Sequence, residues 1–321
     1  MMTKFDVLKS TFSNLHRILP TGVQSPSKVS MTTLTSSSLL QTQVKIRDIE
    51  AVDLKLRRIF QDGSSKLHII ADFDSTLTKH LVNGKRNVIS HAVLTLSDKI
   101  SEEFKSKCAA LDKKYFPMQS SELLSFEEKY SKMTECWNLY NQAYIEEKLS
   151  RKSLKAALYG ISPEYRVGTD ILFEICEKKA LPLLIFSAGV TDVIEVLLEE
   201  SGLMKPHVHV LSNAMIYSPE EPNLCVGFTS PPIHILNKGE TPVSETPHYD
   251  LIALRKNIIL LGDSLGDLQM SKTIPHEAIL TVGFLNHDVE KNMNAYTKSY
   301  DIVIIDDSDF GPVNQILSNL H

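Results

Sequence analysis

Two carboxylates one residue apart, Asp72 and Asp74, follow the apolar run Ile69-Ile70-Ala71 and precede two hydroxyls, Ser75 and Thr76. The run reads as the end of a buried strand. Two negative charges at such a place cost free energy through desolvation and repulsion unless a cation or a proton offsets them. Two further apolar runs end in reactive-looking residues. LLIFSAG places Ser187 and Ala188 at its end, and IILLGDSLGD places Asp263 and Asp267. Taken singly, a DxD pair can be a turn or a helix cap, FSAG a tight turn, and GDSLGD a Gly-Asp turn feeding a helix. Their joint placement after three strands is harder to assign to chance.

The residue types suit phosphoryl chemistry. A carboxylate at a strand tip can attack phosphorus and form an aspartyl-phosphate. A phosphate monoester brings about two negative charges toward that carboxylate. Mg²⁺ would screen the approach, and hard oxygen ligands such as Asp72 and Asp263 suit it. Asp74 points away from Asp72 in an extended chain. If the chain bends there, Asp74 can protonate the leaving oxygen and later deprotonate water. Ser187 and the N–H groups of Ala188 and Gly189, placed at a helix N-terminus, can hold phosphate oxygens. No GxxxxGK[ST] and no GxGxxG occurs, so phosphate-cradling loops of those kinds are not expected.

These residues need a scaffold that brings three strand ends together. IRDIEAVDLKLRRIF (46–60) carries Ile49, Val52, Leu56 and Ile59 at helical spacing. LHIIAD is the first buried strand. From about residue 90 to 160 the chain is polar and helical in period. Ile100, Phe104, Cys108, Leu111 and Tyr115 line one face; Met133, Trp137, Tyr140 and Tyr144 line another, with Ser125 and Glu128 as a capping box. After Gly168 strands and helices alternate: LPLLIF (181–186), VHVLS (208–212), NIILLGD (257–263), AILTVGF (278–284) and DIVII (301–305) are apolar strands, and 214–228 reads as a hairpin. This pattern predicts an α/β fold, a Rossmann-like parallel sheet covered on both faces, with a helical cap inserted over 89–164. The core is expected over 46–88 and 165–321. Ligands of such sheets gather at the carboxyl ends of the strands, near the switch point.

The chain has 321 residues and a formal net charge of -5, a poor match to nucleic-acid or membrane-surface binding. No apolar run approaches the ~20 residues of a membrane span. The four cysteines form no CxxC, which fits a reducing compartment. Residues 11–45 are rich in Ser and Thr and lack acidic residues. Residues 1–45 read as either a disordered extension or an organellar transit peptide. The expected location is the cytoplasm, or an organelle if the segment is a transit peptide.

DFDST (72–76), Ser187, Lys238 and GDSLGD (262–267) together resemble the four motifs of the haloacid-dehalogenase superfamily of phosphatases. GKR (84–86), EEKY (127–130), IFSAGVTDV (185–193), HILNK (234–238), IILLGDSLGD (258–267) and SYDIVI (299–304) resemble more closely the type III cytosolic pyrimidine 5′-nucleotidases. The resemblance runs from about residue 46 to the end. It implies Asp72 as nucleophile and Asp74 as general acid/base. It implies Mg²⁺ held by the Asp72 carboxylate, the Asp74 carbonyl and Asp263, with Asp267 in support. It also implies Ser187, Ala188 and Lys238 as phosphate ligands. Without it, Lys238 reads as a solvated surface lysine and Asp267 as a helix cap.

In the cap, the family places a base-contacting glutamate where this chain has Gln119, which can donate as well as accept. Trp137 and Tyr140 stand where the family places its base-pocket aromatic and hydroxyl residues. Both could equally be core aromatics of an amphipathic helix. A tryptophan there resembles the branch that also accepts 7-methylguanosine monophosphate, whose cationic base suits an indole face. The implied enzyme is a monomeric, Mg²⁺-dependent phosphatase of nucleoside 5′-monophosphates, pyrimidine and possibly 7-methylguanosine. A phosphatase of another small metabolite, such as phosphoserine or a sugar phosphate, is the rival enzyme. A phospho-accepting receiver domain or a nucleotide-binding module is the non-catalytic rival; a receiver domain would lack both the cap and the nucleophile on the first strand, and a dead binding module would usually lose one member of the Asp72/Asp74 pair.

Overall fold

The computed structural model describes residues 34–39, 43–119, 121, 123–220, 223–241, 243–272 and 274–321. Its strands are β1 (Val44–Ile46), β2 (Leu67–Ala71), β3 (Leu81–Val82), β4 (Lys85–Arg86), β5 (Leu183–Val190), β6 (Val208–Asn213), β7 (Met215–Tyr217), β8 (Cys225–Phe228), β9 (Asn257–Gly262), β10 (Ala278–Leu285) and β11 (Ile302–Ile305). Its helices are α1 (Ile49–Asp62), α2 (Glu102–Gln119), α3 (Phe126–Glu146), α4 (Arg151–Leu158), α5 (Thr169–Lys178), α6 (Thr191–Glu200), α7 (Tyr249–Ile252), α8 (Val289–Ser299) and α9 (Gly311–Ser318).

Seven strands form one sheet in the order β1-β11-β10-β9-β2-β5-β6. All neighbours are parallel except β1, which runs antiparallel to β11. The expected parallel α/β sheet is therefore present, with one antiparallel edge. β2, β5 and β9 are buried on both faces, as their continuous apolar runs require. The chain leaves β2 toward β5 on one side and reaches β9 on the other. β2 thus sits at the switch point, where the crevice above the strand ends opens.

Helix α1 starts on Asp48, whose Oδ1 accepts the Ala51 N–H at 3.0 Å, and it buries Val52, Leu56 and Ile59. Between β2 and β5 the chain inserts α2, α3 and α4. The Ser125/Glu128 capping box closes the start of α3 as expected. Phe104, Cys108 and Tyr115 of α2 face Met133, Trp137, Tyr140 and Tyr144 of α3 in one buried layer. Pro117 stands in the last turn of α2.

The expected boundary at residue 45 shifts toward the N-terminus. Residues 1–33, which carry most of the extension or transit-peptide reading, lie outside the described residues. The segment from Leu34 onward is part of the fold. Ser36 donates its N–H to Asp53 of α1 at 2.6 Å, Leu39 is fully buried, and Val44 pairs with Ile304. The signal was missed because three-residue β1 and one helical turn are too short for a periodicity to appear.

Leu39→Ala tests this boundary. Loss of a fully buried leucine should cost about 2–4 kcal/mol in urea unfolding. A change within about 0.5 kcal/mol would return the segment to the extension.

Candidate active site

The site forms where β2, β5 and β9 end. Asp72 follows β2 and its N–H donates to Leu261 O of β9 at 3.0 Å, so the sheet itself places it. Phe73–Leu77 then make one wide turn, closed by Thr78 N–H donating to Phe73 O at 3.1 Å. Ser75 has φ of 62°, a left-handed value that few non-glycine residues adopt. This is the bend that the DxD pair needs if its two carboxylates are to play different roles.

Buried Arg166 holds the bend. Its guanidinium donates to Ser75 O at 2.6 Å, Thr76 O at 2.8 Å and Ser308 O at 2.6 Å, and lies 4.3 Å from the Phe284 ring centroid. Asn286 Nδ2 adds a bond to Ser75 O at 2.8 Å. Neither residue was a candidate from sequence. An arginine in YRVG and an asparagine after a strand carry no spacing that ties them to residue 74.

Asp74 is turned from Asp72 toward the start of the inserted region. Its Oδ1 accepts the Ser90 N–H at 2.8 Å and its Oδ2 the Ser90 hydroxyl at 2.6 Å. Burial raises the Asp74 carboxyl above its ordinary value, against the pull of these bonds.

Lys238 is buried, not solvated. Its Nζ donates to Asp72 Oδ1 at 2.6 Å, Asp267 Oδ1 at 2.7 Å and Phe186 O at 3.0 Å. Burial disfavours its charge, but Asp267 and Asp72 outweigh this and hold the ammonium above its ordinary value. Asp267 Oδ2 accepts from Ser264 N–H at 2.9 Å and Oγ at 2.8 Å, which shapes the GDSLGD turn. A side chain at Gly262 would run into Asp267 there. Tyr296 and Tyr300 donate to the carbonyls of Asp263 and Ser264, both at 2.5 Å.

Among the described residues, Asp72, Asp263 and Asp267 form a group whose carboxylate oxygens lie within 4.8 Å of one another. Asp267, expected only in support, thus joins the first two. The Asp74 carboxylate stands outside the group. Burial, with Asp267 and Asp74 adding to it, raises Asp72 to about 7 despite Lys238. Burial, Asp72 and Asp267 raise Asp263 well above the carboxylate range. Three oxygen donors crowded around one ammonium are a donor set that fits a hard divalent cation.

Ser187 and Ala188 lie in the last part of β5, where the pairing with β6 shifts register, rather than at a helix start; α6 starts at Thr191. Ser187 Oγ accepts the Gly189 N–H at 3.0 Å, so that amide is already engaged. Asn213 Nδ2 donates to the carbonyls of Ala188 and Gly189 at 2.9 and 3.0 Å and fixes this irregular stretch.

The cap-side candidates gather around a residue not singled out from sequence, His91. Its ring centroid lies 5.2 Å from Trp137, 5.2 Å from Tyr140 and 5.4 Å from Phe116, each edge to face. Trp137 and Tyr140 are buried in this cluster. The Tyr140 hydroxyl donates to Asp112 Oδ1 and to Cys108 O. Burial would raise Asp112, but Tyr140 and His91, whose Nε2 stands 3.7 Å away, hold it below its ordinary value. The cluster therefore contains an ionised carboxylate. Gln119 is half-buried at the end of α2. It is not among the ring contacts of the His91 cluster.

The chain's similarities agree with this geometry. A pyrimidine 5′-nucleotidase (UMPH-1) family model matches residues 75–321. A 7-methylguanosine phosphate-specific 5′-nucleotidase of Gallus gallus is 36% identical over 280 residues, covering 87% of this chain and 96% of the relative. The A form of that enzyme in Xenopus laevis is 35% identical over 275 residues, 85% of this chain and 94% of its own. The crystal structure of cytosolic 5′-nucleotidase IIIB bound to cytidine superposes with a TM-score of 0.76 at 28% identity, over 88% of this chain and 95% of that one.

Lys238→Met tests the buried reading of the lysine. Removing one partner of a buried ion group leaves Asp72 and Asp267 uncompensated and should cost about 3–5 kcal/mol in metal-free urea unfolding. A solvated surface lysine would change stability by about 0.5 kcal/mol or less.

Proposed function

The chain belongs to the pyrimidine 5′-nucleotidase family and is a 5′-nucleotidase, and we propose that it hydrolyses nucleoside 5′-monophosphates through an aspartyl-phosphate on Asp72. One observation carries this reading: the two carboxylates of DFD have opposite surroundings. Asp72 faces Lys238 and two more carboxylates, while Asp74 is held by Ser90 across a strained bend. This contrast supports Asp72 as the group that meets phosphorus and Asp74 as the group that handles a proton.

In the first step a carboxylate oxygen of Asp72 bonds to phosphorus and the bond from phosphorus to the 5′-oxygen breaks. Asp74 gives its proton to that oxygen, the nucleoside leaves neutral, and Asp74 becomes a carboxylate. In the second step Asp74 takes a proton from water as the water oxygen bonds to phosphorus. The bond from Asp72 to phosphorus breaks, and inorganic phosphate is released. Lys238 counters the charge that gathers around Asp72, and Ser187 with the Ala188 amide supports the phosphoryl oxygens. Asp72, Asp263 and Asp267 would hold Mg²⁺, with the Asp74 carbonyl as a further ligand. Bound there, it would supply charge neutralisation for the dianionic phosphate.

The base is read by the His91, Phe116, Trp137 and Tyr140 rings. The indole of Trp137 in this cluster suits a base that carries positive charge, which supports 7-methylguanosine monophosphate as a substrate beside the pyrimidine nucleotides. The other enzymatic reading, a phosphatase of phosphoserine or a sugar phosphate, has no use for Phe116, Trp137 and Tyr140 gathered around His91.

The test is phosphate release from CMP, UMP, dTMP, AMP, 7-methyl-GMP, phosphoserine and ribose 5-phosphate, with and without Mg²⁺, by wild type and Trp137→Ala. Wild type should turn over 7-methyl-GMP, CMP and UMP, with activity lost on chelation. Preference for phosphoserine or ribose 5-phosphate would overturn the reading. Stacking is worth ~1–3 kcal/mol per base and a cationic base adds ~0.5–2 kcal/mol. Trp137→Ala should therefore raise KM most for 7-methyl-GMP, less for CMP and UMP, and least for ribose 5-phosphate. If Trp137 only packs the cap, its loss costs about 3–5 kcal/mol of stability and lowers all substrates alike.

A further inference from the structure

We propose that Ser90 is the residue that positions Asp74 for proton transfer, and that His91 beside it ties this grip to occupancy of the base pocket. The inference rests on the reading of Asp74 as the group that protonates the leaving oxygen. Ser90 is buried and touches both oxygens of Asp74, its N–H at 2.8 Å from Oδ1 and its hydroxyl at 2.6 Å from Oδ2. The two contacts differ in kind. An amide N–H can only donate, so it keeps Oδ1 as an acceptor. A hydroxyl can donate or accept, so its bond to Oδ2 can persist as Asp74 passes its proton on. Ser90 thus holds both oxygens of Asp74 in one orientation.

The space for this contact is reserved. A side chain on Gly189 would run into Ser90 Oγ, so the absence of one at residue 189 lets the segment carrying Ser90 close on the end of β5. On its other side Ser90 is followed by His91, whose ring is packed by Phe116, Trp137 and Tyr140. The His91 carbonyl accepts the Tyr144 hydroxyl at 3.0 Å, and Ala92 N–H closes the turn on Ile89 O at 3.0 Å. A base seated among these rings bears on the same turn that holds Asp74. Nothing in the motif DFDST points to residue 90, sixteen positions on.

In the step concerned, the proton on Asp74 moves to the 5′-oxygen as its bond to phosphorus breaks, and Asp74 is left as a carboxylate held by two Ser90 donors. A nucleoside 5′-oxygen is a poor leaving group and needs that proton; p-nitrophenolate does not. General-acid contributions are large, about 10²–10⁴-fold, and follow the leaving group's need for a proton.

Ser90→Ala and Ser90→Cys are assayed with CMP, 7-methyl-GMP, ribose 5-phosphate and p-nitrophenyl phosphate, beside thermal unfolding. For Ser90→Ala, kcat/KM, which reports transfer to Asp72 and not the later hydrolysis that all substrates share, should fall about tenfold or more for the two nucleotides and by under about threefold for p-nitrophenyl phosphate. Ser90→Cys, whose thiol donates weakly, should lie between. The kcat/KM advantage of nucleotides over ribose 5-phosphate should shrink in both variants, because the base no longer acts through the Ser90 contact. Equal losses on all substrates, no loss on any, or collapse of folding in both variants would overturn the proposal and assign Ser90 to the fold. A wild type that cleaves p-nitrophenyl phosphate and no nucleotide would instead overturn the nucleotidase reading on which the inference rests.

Discussion

The ammonium of Lys238 lies between Asp72 and Asp267, buried, with the Phe186 carbonyl as its third acceptor. A lone lysine at that depth would be driven to lose its charge, and the carboxylates beside it offset that cost. One ammonium cannot balance Asp72, Asp263 and Asp267, and Asp72 stays raised to about 7. This imbalance is the constraint behind the site. It makes the crevice attractive to a divalent cation. It also explains why the surrounding backbone is so heavily bonded: Arg166 and Asn286 on the Asp74 bend, Asn213 on residues 188–189 of β5, and Tyr296 and Tyr300 on the 263–264 turn. Like charges held close relax apart unless the backbone that carries them is pinned.

The inserted helices reach the same lysine. Tyr130 of α3 donates to Glu240 at 2.7 Å, two residues past Lys238. Thr134 Oγ1 lies 3.0 Å from His234 Nε2. Leu236 N–H donates to His234 Nδ1, so the neutral ring carries its hydrogen on Nε2 and gives it to Thr134. Burial lowers His234 to about 4, which keeps that neutral form at ordinary pH. Helix α3 therefore contacts the loop that carries Lys238 near its start and bears Trp137 on the following turns. In the proposed reading, base recognition and phosphate chemistry would share this one element, so that a cap could discriminate by base while the reaction occurs at phosphorus.

Much of this was legible in the sequence. The continuous apolar runs before Asp72, Ser187 and Asp263 marked buried parallel strands, and their polar ends marked the crevice. The aromatic periods of α2 and α3 appeared because a helix has room for several turns. What stayed hidden was the set of residues that act through tertiary contact alone. Ser90, His91, Arg166 and Asn286 lie far from the DFD pair in sequence, and only the fold brings them to it. Short β1 left no period to read. Lys238 looked like a surface lysine, because a buried charge is recognisable only once its two carboxylate partners are in place.

If Asp72 is the nucleophile it carries phosphate during every turnover, and rapid-quench labelling reads this out. The enzyme is mixed with 7-methyl-GMP or CMP carrying a labelled phosphate in the presence of Mg²⁺, stopped in acid within one turnover, and digested for peptide mapping. A transient acid-stable label is expected on the peptide containing Asp72, forming and decaying at rates compatible with kcat. No label at any time during a turnover that yields phosphate, or label on a peptide lacking Asp72, would contradict it.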